Sequence, residues 1–330
     1  MALRRLLLLD FDGTITQHDT LASLVTLAID ATTARTAAGT QAPEQQRREQ
    51  RQKQRALWDQ IVRDYAAAYR AHVAGRAETA GEPRRTALRQ ELAFLESARE
   101  VERASVARVG RAGFFAGLDA PALERLGREA VRRAAAAATS PSRTGGLRGE
   151  GGEGEGNREG AVRLRRGVGE FLEQQGRGGW DLAVVSVNWS REFIRGVVEA
   201  ACARGAGAGR IGRVVANGIG FPGGTVEGPE ELGGEPLLTA GDKLRAMEAL
   251  RQRRPDERVV YFGDSTTDLA CLTEADLGVV MADDAASKLL DTLRRLGRDV
   301  PHVADAKTDS KLVWARDFDE VLQSGVMDRI

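Results

Sequence analysis

The chain has 330 residues, of which 42% are hydrophobic and 29% are charged, as in folded proteins of one or two domains. Lysine and arginine together number 48, as do aspartate and glutamate, so no net positive charge draws the protein to nucleic acid or to an anionic membrane. The leucines at 6–9 are too few for the apolar region of a signal peptide, which needs about 7–15 residues, and no run approaches the roughly 20 residues of a membrane span. Two cysteines without a CxxC pair indicate the reducing cytoplasm.

Short apolar runs that alternate with helical stretches predict a parallel sheet. The first run is 6–9, and similar runs recur at 182–185, 214–216, 259–262 and 277–280. Each run ends in turn residues, and most precede a plausible helix. We therefore predict an α/β fold with a Rossmann-like core, formed by residues 1–18 and 160–330, in which helices cover both faces of a parallel sheet. After Met281 we expect one further strand and a helix, with 315–322 helical.

A long helical insertion separates the first two predicted strands. Between residues 19 and 138 the sequence is rich in Ala, Arg, Glu, Gln and Leu, which are strong helix formers. Prolines at 43, 83 and 121 suit the first turns of helices. We predict an α-helical cap over 19–138 with three to five helices, for example 43–73, 83–109 and 121–138. Residues 139–159 are rich in glycine and glutamate and are predicted to form a disordered loop.

The strongest chemical signal is the string Asp10-Phe11-Asp12-Gly13-Thr14-Ile15-Thr16, directly after the first strand. In open α/β sheets, ligands bind beyond the carboxyl ends of the strands. Asp10 and Asp12 are one residue apart, so both carboxylates can approach one phosphorus atom, and Gly13 lets the backbone bend closely around the site. A lone Asp-x-Asp pair is common in solvated turns, but the longer string after a buried strand favours a catalytic site.

Four more residues follow later strands or lie between them. Ser186 could donate its hydroxyl to a phosphate oxygen, although serine after a strand also caps helices. Lys243 offers a compact positive charge that can neutralise a carboxylate and a phosphate oxygen together, in a chain that has only five lysines. Asp264 and Asp268 follow the 259–262 strand and offer the hard oxygen ligands that Mg²⁺ prefers. Asp268 either binds the metal directly or orients Asp264 and Lys243. The alternative is that both aspartates only cap a helix.

In this order, the four motifs resemble those of the haloacid dehalogenase superfamily. The separation of Lys243 and Asp264 is also about that of the family. The helical insertion after the first motif and the stretch 217–228 resemble the phosphoserine phosphatase-like branch. One departure is that Val187-Asn188-Trp189 follows Ser186, where phosphoserine phosphatases usually carry Ser-Gly-Gly. This departure weakens phosphoserine as the substrate.

The resemblance implies a Mg²⁺-dependent phosphatase that acts on a small phosphorylated metabolite. Asp10 would be the nucleophile that forms an aspartyl phosphate, and Asp12 would be the general acid and base. Phosphate would be held by Ser186, Lys243 and Gly13. The metal would be held by Asp10, by Asp12 through its backbone carbonyl, by Asp264 and by Asp268.

Two other functions stay open at this point. A dehalogenase is disfavoured, because a halide leaves without taking a proton and Asp12 would then have no role as a general acid. A phosphomutase, or a non-catalytic binding protein on the same fold, is still possible. Thr16, His18 and Asp19 are expected near the entrance to the site, and Trp189 and Trp314 are expected to be packing residues.

Overall fold

The computed structural model describes residues 5–40, 43–80, 85–139, 160–202, 211–252 and 257–330. The predicted disordered loop at 139–159 therefore lies outside the described residues, apart from Thr139, which ends a helix. None of the helices in the described ranges combines the length and the apolar character that crossing a membrane requires.

The first half of the chain is mainly helical. Strand β1 (Arg5–Leu9) leads into a tight turn over Phe11–Ile15. Five helices follow among the described residues, and we refer to residues 21–139 as the helical segment. They are α1 (Leu21–Thr40), α2 (Glu44–Ala80), α3 (Leu88–Glu96), α4 (Arg99–Ala112) and α5 (Ala120–Thr139).

The second half alternates strands with helices. In chain order its elements are α6 (Val168–Arg177), β2 (Trp180–Val185), α7 (Arg191–Cys202), β3 (Arg213–Val215), the hairpin strands β4 (Gly218–Gly220) and β5 (Thr225–Glu227), α8 (Ala240–Gln252), β6 (Arg258–Gly263), α9 (Leu269–Glu274), β7 (Leu277–Met281), α10 (Lys288–Arg295), β8 (Leu312–Ala315) and α11 (Phe318–Ser324).

Six strands form one parallel sheet in the order β3-β2-β1-β6-β7-β8. Side chains along β1 alternate between two hydrophobic clusters, with Leu7 and Leu9 in one and Leu6 and Leu8 in the other, as the two-residue period of a strand requires. Helices α6, α7 and α11 pack in the first cluster, and α8, α9 and α10 pack in the second. The predicted fold class, with helices on both faces of a parallel sheet, is confirmed.

Helix α5 packs closely against α7, which covers one face of the sheet. A side chain on Gly127 would meet the carbonyl oxygen of Phe193 at 2.2 Å, and one on Gly196 would meet that of Glu124 at 2.0 Å. The two glycines therefore let the helix backbones touch, which fixes the last helix of the helical segment against the sheet layer.

Two predicted boundaries were wrong. The stretch 83–109 is not one helix, because α3 ends at Glu96 and α4 begins at Arg99. Between them the Ala98 N–H donates to the carbonyl of Leu95, three residues back, at 3.3 Å, so a tight turn replaces the i→i−4 bonds of a continuous helix. Ala315 ends strand β8 instead of starting a helix, and α11 begins at Phe318 after Asp317 caps it by accepting from the Glu320 N–H.

Candidate active site

The turn after β1 brings Asp10 to the carboxyl edge of the sheet. The Asp10 backbone N–H donates to the carbonyl of Phe262 on β6 at 2.8 Å, so the turn starts beside the end of the neighbouring strand. Gly13 has a φ of 74°, a conformation that L side chains rarely adopt. A Cβ atom at this position would also lie 2.1 Å from Oδ2 of Asp264. Glycine is therefore required here for both reasons.

Lys243, at the start of α8, lies between two aspartates. Its Nζ is 2.8 Å from Oδ1 of Asp10 and 2.7 Å from Oδ1 of Asp268, and its side chain is fully buried. Burial alone would lower the pKa of Lys243, but the charges of Asp10 and Asp268 raise it above its usual value. The lysine is therefore charged at neutral pH and is fixed against Asp10.

Asp268 is the most completely hydrogen-bonded of the aspartates in the site. Its Oδ1 accepts from Lys243 and from the Tyr261 hydroxyl at 2.8 Å. Its Oδ2 accepts from the backbone N–H groups of Asp264 and Ser265 at 3.2 and 3.1 Å, and from the Ser265 hydroxyl at 3.1 Å. With five donors on two oxygens, Asp268 fixes both Lys243 and the loop that carries Asp264.

Asp12 has different partners, all of them neutral. Its Oδ1 accepts from the backbone N–H and the hydroxyl of Thr20 at 2.8 and 2.7 Å. Its Oδ2 accepts from the side-chain amide of Asn188 at 2.8 Å. Burial, followed by the charge of Asp19, raises the pKa of Asp12 to about 7, against the lowering effect of these hydrogen bonds. A carboxyl group in this range can both give and take a proton near neutral pH.

Ser186 lies one residue beyond β2, which is the neighbour of β1 on the other side from β6. It is fully buried, and its backbone N–H donates to the carbonyl of Val215 at 3.1 Å. The hydroxyl oxygen accepts from the Asn188 N–H at 3.2 Å. Among the hydrogen bonds described, none uses the hydroxyl proton, which is therefore available to an anion at this edge of the sheet.

Negative charge at this edge exceeds positive charge. Oxygens of Asp10, Asp264 and Asp268 lie within 4.8 Å of one another, and among the described residues Lys243 forms ion pairs with Asp10 and Asp268. Burial, followed by the charge of Asp268, raises the pKa of Asp10 to about 7. Burial and then the charge of Asp10 raise that of Asp264 well above its usual value. Ionised carboxylates packed this closely are stabilised by a bound cation.

A buried arginine that the sequence analysis did not identify supports the turn from behind. The Nη2 of Arg165 donates to the carbonyl of Gly13 at 2.6 Å. Its Nη1 donates to Asp283 at 2.9 Å and to the carbonyl of Arg316 at 2.6 Å. No sequence motif marks this residue. It lies between the isolated bridge of Thr16 with Leu164 and Gly167, which caps the start of α6.

The structure brings the residues predicted from the sequence to one edge of the sheet. Asp10, Lys243, Asp264 and Asp268 are in mutual contact or within 4.8 Å, and Gly13 abuts Asp264. Asp12 and Ser186 are joined through Asn188, which contacts both. Three further contacts were missed, those of Thr20, Asn188 and Tyr261. The sequence marked Asn188 only as a departure from Ser-Gly-Gly, and its contact with Asp12 depends on the fold.

No protein-family model matches the chain, and no curated protein matches it. Among solved structures, it is similar to a substrate-bound phosphoserine phosphatase, with 13% identity and a TM-score of 0.46 over 98% of this chain and 99% of that one. It is also similar to a phosphoserine phosphohydrolase-like protein from Francisella tularensis subsp. tularensis SCHU S4, with 12% identity and a TM-score of 0.47 over 97% and 98%. A protein with unknown function from Bordetella pertussis Tohama I has 13% identity and a TM-score of 0.44 over 90% and 97%. Likenesses at this level do not identify a reaction, so the chemistry has to come from the residues of this chain.

Proposed function

We propose that the protein is a Mg²⁺-dependent phosphatase that hydrolyses a small phosphomonoester through an aspartyl phosphate on Asp10. The observation that carries the proposal is the position of Asp10. Its buried carboxylate lies at the end of β1, 2.8 Å from the ammonium group of Lys243 and within 4.8 Å of Asp264. A nucleophile, a fixed positive charge and a second carboxylate thus converge where α/β sheets bind ligands. We place this activity in the cytoplasm.

The residues of the site fit a magnesium ion. Mg²⁺ prefers oxygen ligands and is usually bound by one or two carboxylates together with water and phosphate. Asp10 and Asp264 would supply such ligands, and the backbone carbonyl of Asp12 would add a third. Oδ1 of Asp10 is buried, and the ammonium group of Lys243, 2.8 Å away, is its one partner among the described residues. When bound, the metal supplies positive charge that offsets the carboxylates and polarises the phosphate.

Asp268 orients other groups in this proposal. Both its oxygens are engaged by protein donors, so a direct bond to the metal would cost one of these contacts. A role in holding Lys243 and Asp264 fits the observed hydrogen bonds better than the direct ligation that was the other sequence-based expectation.

The chemistry proceeds in two displacements. A carboxylate oxygen of Asp10 forms a bond to phosphorus, while the bond from phosphorus to the alcohol oxygen breaks and that oxygen takes the proton of Asp12. Asp12 then removes a proton from water, and the water oxygen bonds to phosphorus as the bond to Asp10 breaks. Inorganic phosphate and the free Asp10 carboxylate result. Lys243 and the Ser186 hydroxyl hold the remaining phosphate oxygens in both steps.

The test is phosphate release from p-nitrophenyl phosphate, with and without Mg²⁺, by the wild type and by Asp10→Asn. We expect metal-dependent turnover that falls about a thousandfold or more in the variant, because the nucleophile is lost. Asp309→Asn is the matched control, since Asp309 is exposed and outside the site. Equal turnover in both variants would contradict a role for Asp10. If a broad panel of phosphate esters also gave no turnover, the phosphatase proposal would be wrong and a binding function would replace it.

A further inference from the structure

A cavity of about 410 Å³ lies between the helical segment and the carboxyl edge of the sheet. From the sheet side it is lined by Asp19, Val187, Trp189, Leu238 and Thr267. The other wall comes from helices α1, α2 and α4 of the helical segment. A volume of this size accommodates a ring with a short side chain.

The cavity adjoins the candidate active site along the chain. Asp19 precedes Thr20, whose N–H and hydroxyl bind Asp12. Val187 follows Ser186, and Thr267 precedes Asp268. Three loops that position the proposed catalytic groups therefore also line the cavity. A phosphate bound at Asp10 would direct the alcohol portion of its ester into this space.

Aromatic side chains form much of the wall. The rings of Trp58 and Trp189 meet edge to face with centroids 6.0 Å apart, and Trp58 also meets Phe114 in this way at 6.1 Å. Ile61, from the next turn of α2, is buried beside them. Trp189, expected to be a packing residue, does pack against Trp58 but also faces the cavity. These surfaces favour an apolar or aromatic group, and their π faces attract cations.

The charges that face the cavity are all negative. Of the lining residues that the structure describes, Asp19 and Glu102 are charged, and none is a lysine, arginine or histidine. Glu102 is half-buried and accepts from the Tyr65 hydroxyl at 2.7 Å through Oε1. Burial raises the pKa of Glu102 above its usual value. A substrate ammonium group would offset this cost, whereas a substrate carboxylate would add to it.

We propose, given the phosphatase activity proposed above, that this cavity binds the alcohol portion of a phosphomonoester that carries an ammonium group on an apolar or aromatic body. Glu102 is the specificity-determining residue, because its carboxylate pairs with the ammonium group. The Tyr65 hydroxyl holds that carboxylate in place through Oε1. Esters whose alcohol portion carries a carboxylate and no ammonium group are poor substrates, because two protein carboxylates oppose them and none of the described lining residues is a cation that could pair with them.

The test compares two substrates that differ in the charged group at the end of the same chain. O-phosphotyramine and the phosphate ester of 3-(4-hydroxyphenyl)propionate share a phenyl ring and a two-carbon chain, which ends in an ammonium or in a carboxylate. We expect kcat/KM to be at least about tenfold higher for the amine. Glu102→Gln should raise the KM for the amine about tenfold with little change in kcat, and the ratio of kcat/KM for the amine to that for phenyl phosphate should fall about tenfold. Glu100→Gln is the control, since Glu100 lies on the same helix and its side chain is 82% exposed.

The outcomes separate this inference from the phosphatase proposal. If phenyl phosphate is hydrolysed but the amine is not preferred, or if Glu102→Gln leaves the preference intact, the inference is wrong and the phosphatase stands. If no ester is hydrolysed, the phosphatase proposal fails, and binding decides the inference. Both esters are then titrated into Asp10→Asn, with the intrinsic tryptophan fluorescence as the signal, to which Trp58 and Trp189 at the cavity contribute. Tighter binding of the amine that is lost in Asp10→Asn combined with Glu102→Gln supports the inference, and equal binding overturns it.

Discussion

Replacing Gly13 with alanine tests whether the turn after β1 fixes the position of Asp264. The φ of 74° costs an L-residue about 1–2 kcal/mol. In addition, the new Cβ would start 2.1 Å from Oδ2 of Asp264, well inside van der Waals contact, so the carboxylate must move by about 1 Å or more. Overpacking of this kind costs a further 1–3 kcal/mol, roughly. Gly13→Ala should therefore lower the free energy of unfolding by about 2–5 kcal/mol.

Gly179→Ala is a matched control for the backbone term alone. Gly179 has a φ of 79°, and no atom lies within 4 Å of its added Cβ. This variant should lose about 1–2 kcal/mol. The difference between the two variants isolates the collision with Asp264.

Urea unfolding followed by circular dichroism, with and without Mg²⁺, measures both consequences. At a metal concentration 100 times its Kd, a folded-state site adds about 2.7 kcal/mol of stability. We expect wild type and Gly179→Ala to gain this amount and Gly13→Ala to gain little, because its Asp264 is displaced. If Gly13→Ala unfolds like Gly179→Ala and keeps the full gain from Mg²⁺, the steric argument is wrong. If Mg²⁺ stabilises none of the three proteins, the metal proposal is wrong.

Two further predictions concern residues that support the site. Arg165→Lys should lower kcat about tenfold at nearly constant KM, because lysine cannot reproduce the planar contacts that hold the turn. Arg166→Lys, at an exposed neighbour, should leave kcat unchanged. Equal rates for the two variants would refute the role of Arg165 in holding the turn. Arg99→Gln should cost about 1–2 kcal/mol of stability at pH 7, since Arg99 donates to the buried Asp242 at 2.8 Å. Burial would raise the pKa of Asp242, but hydrogen bonds, that of Arg99 first, lower it to about 2, below its usual 3.8. This stabilisation is present above pH 4 and is lost as the pH falls through about 2. The unfolding midpoints of Arg99→Gln and the wild type should therefore converge near pH 2. Arg103→Gln is the control.

The sheet could be predicted because a buried parallel strand leaves a clear local signal. A continuous apolar run such as 6–9, closed by turn residues, has few other interpretations when helical stretches alternate with it. The helix boundaries were less predictable, because they depend on single hydrogen bonds. Helix α3 ends where the Ala98 N–H donates to Leu95 instead of Phe94, and nothing in the composition of 83–109 distinguishes this alanine from others.

The residues of the candidate site could be predicted as far as they belong to short motifs at strand ends. Asp10, Lys243 and Asp268 lie far apart in sequence, and parallel strands bring them to one edge. Contacts that join a motif to an unmarked residue were not predictable. Arg165 contacts Gly13 across 152 positions of sequence. The walls of the cavity come from several helices, and the order of these helices along the chain does not tell how far apart they lie in the fold.

Asp10 and Asp12 show how the same side chain acquires two environments within three residues of chain. Burial raises the pKa of both side chains to about 7. Asp10, however, faces a fully buried ammonium group, which favours its ionised form and fixes its direction. Asp12 faces only neutral donors, from Thr20 and Asn188, and the charge of Asp19 disfavours its ionised form. A nucleophile has to be ionised and immobile, whereas a general acid has to carry a proton near neutral pH. The assignment of the two roles therefore follows from which partner each aspartate has, and exchanging the roles would require Lys243 to contact Asp12.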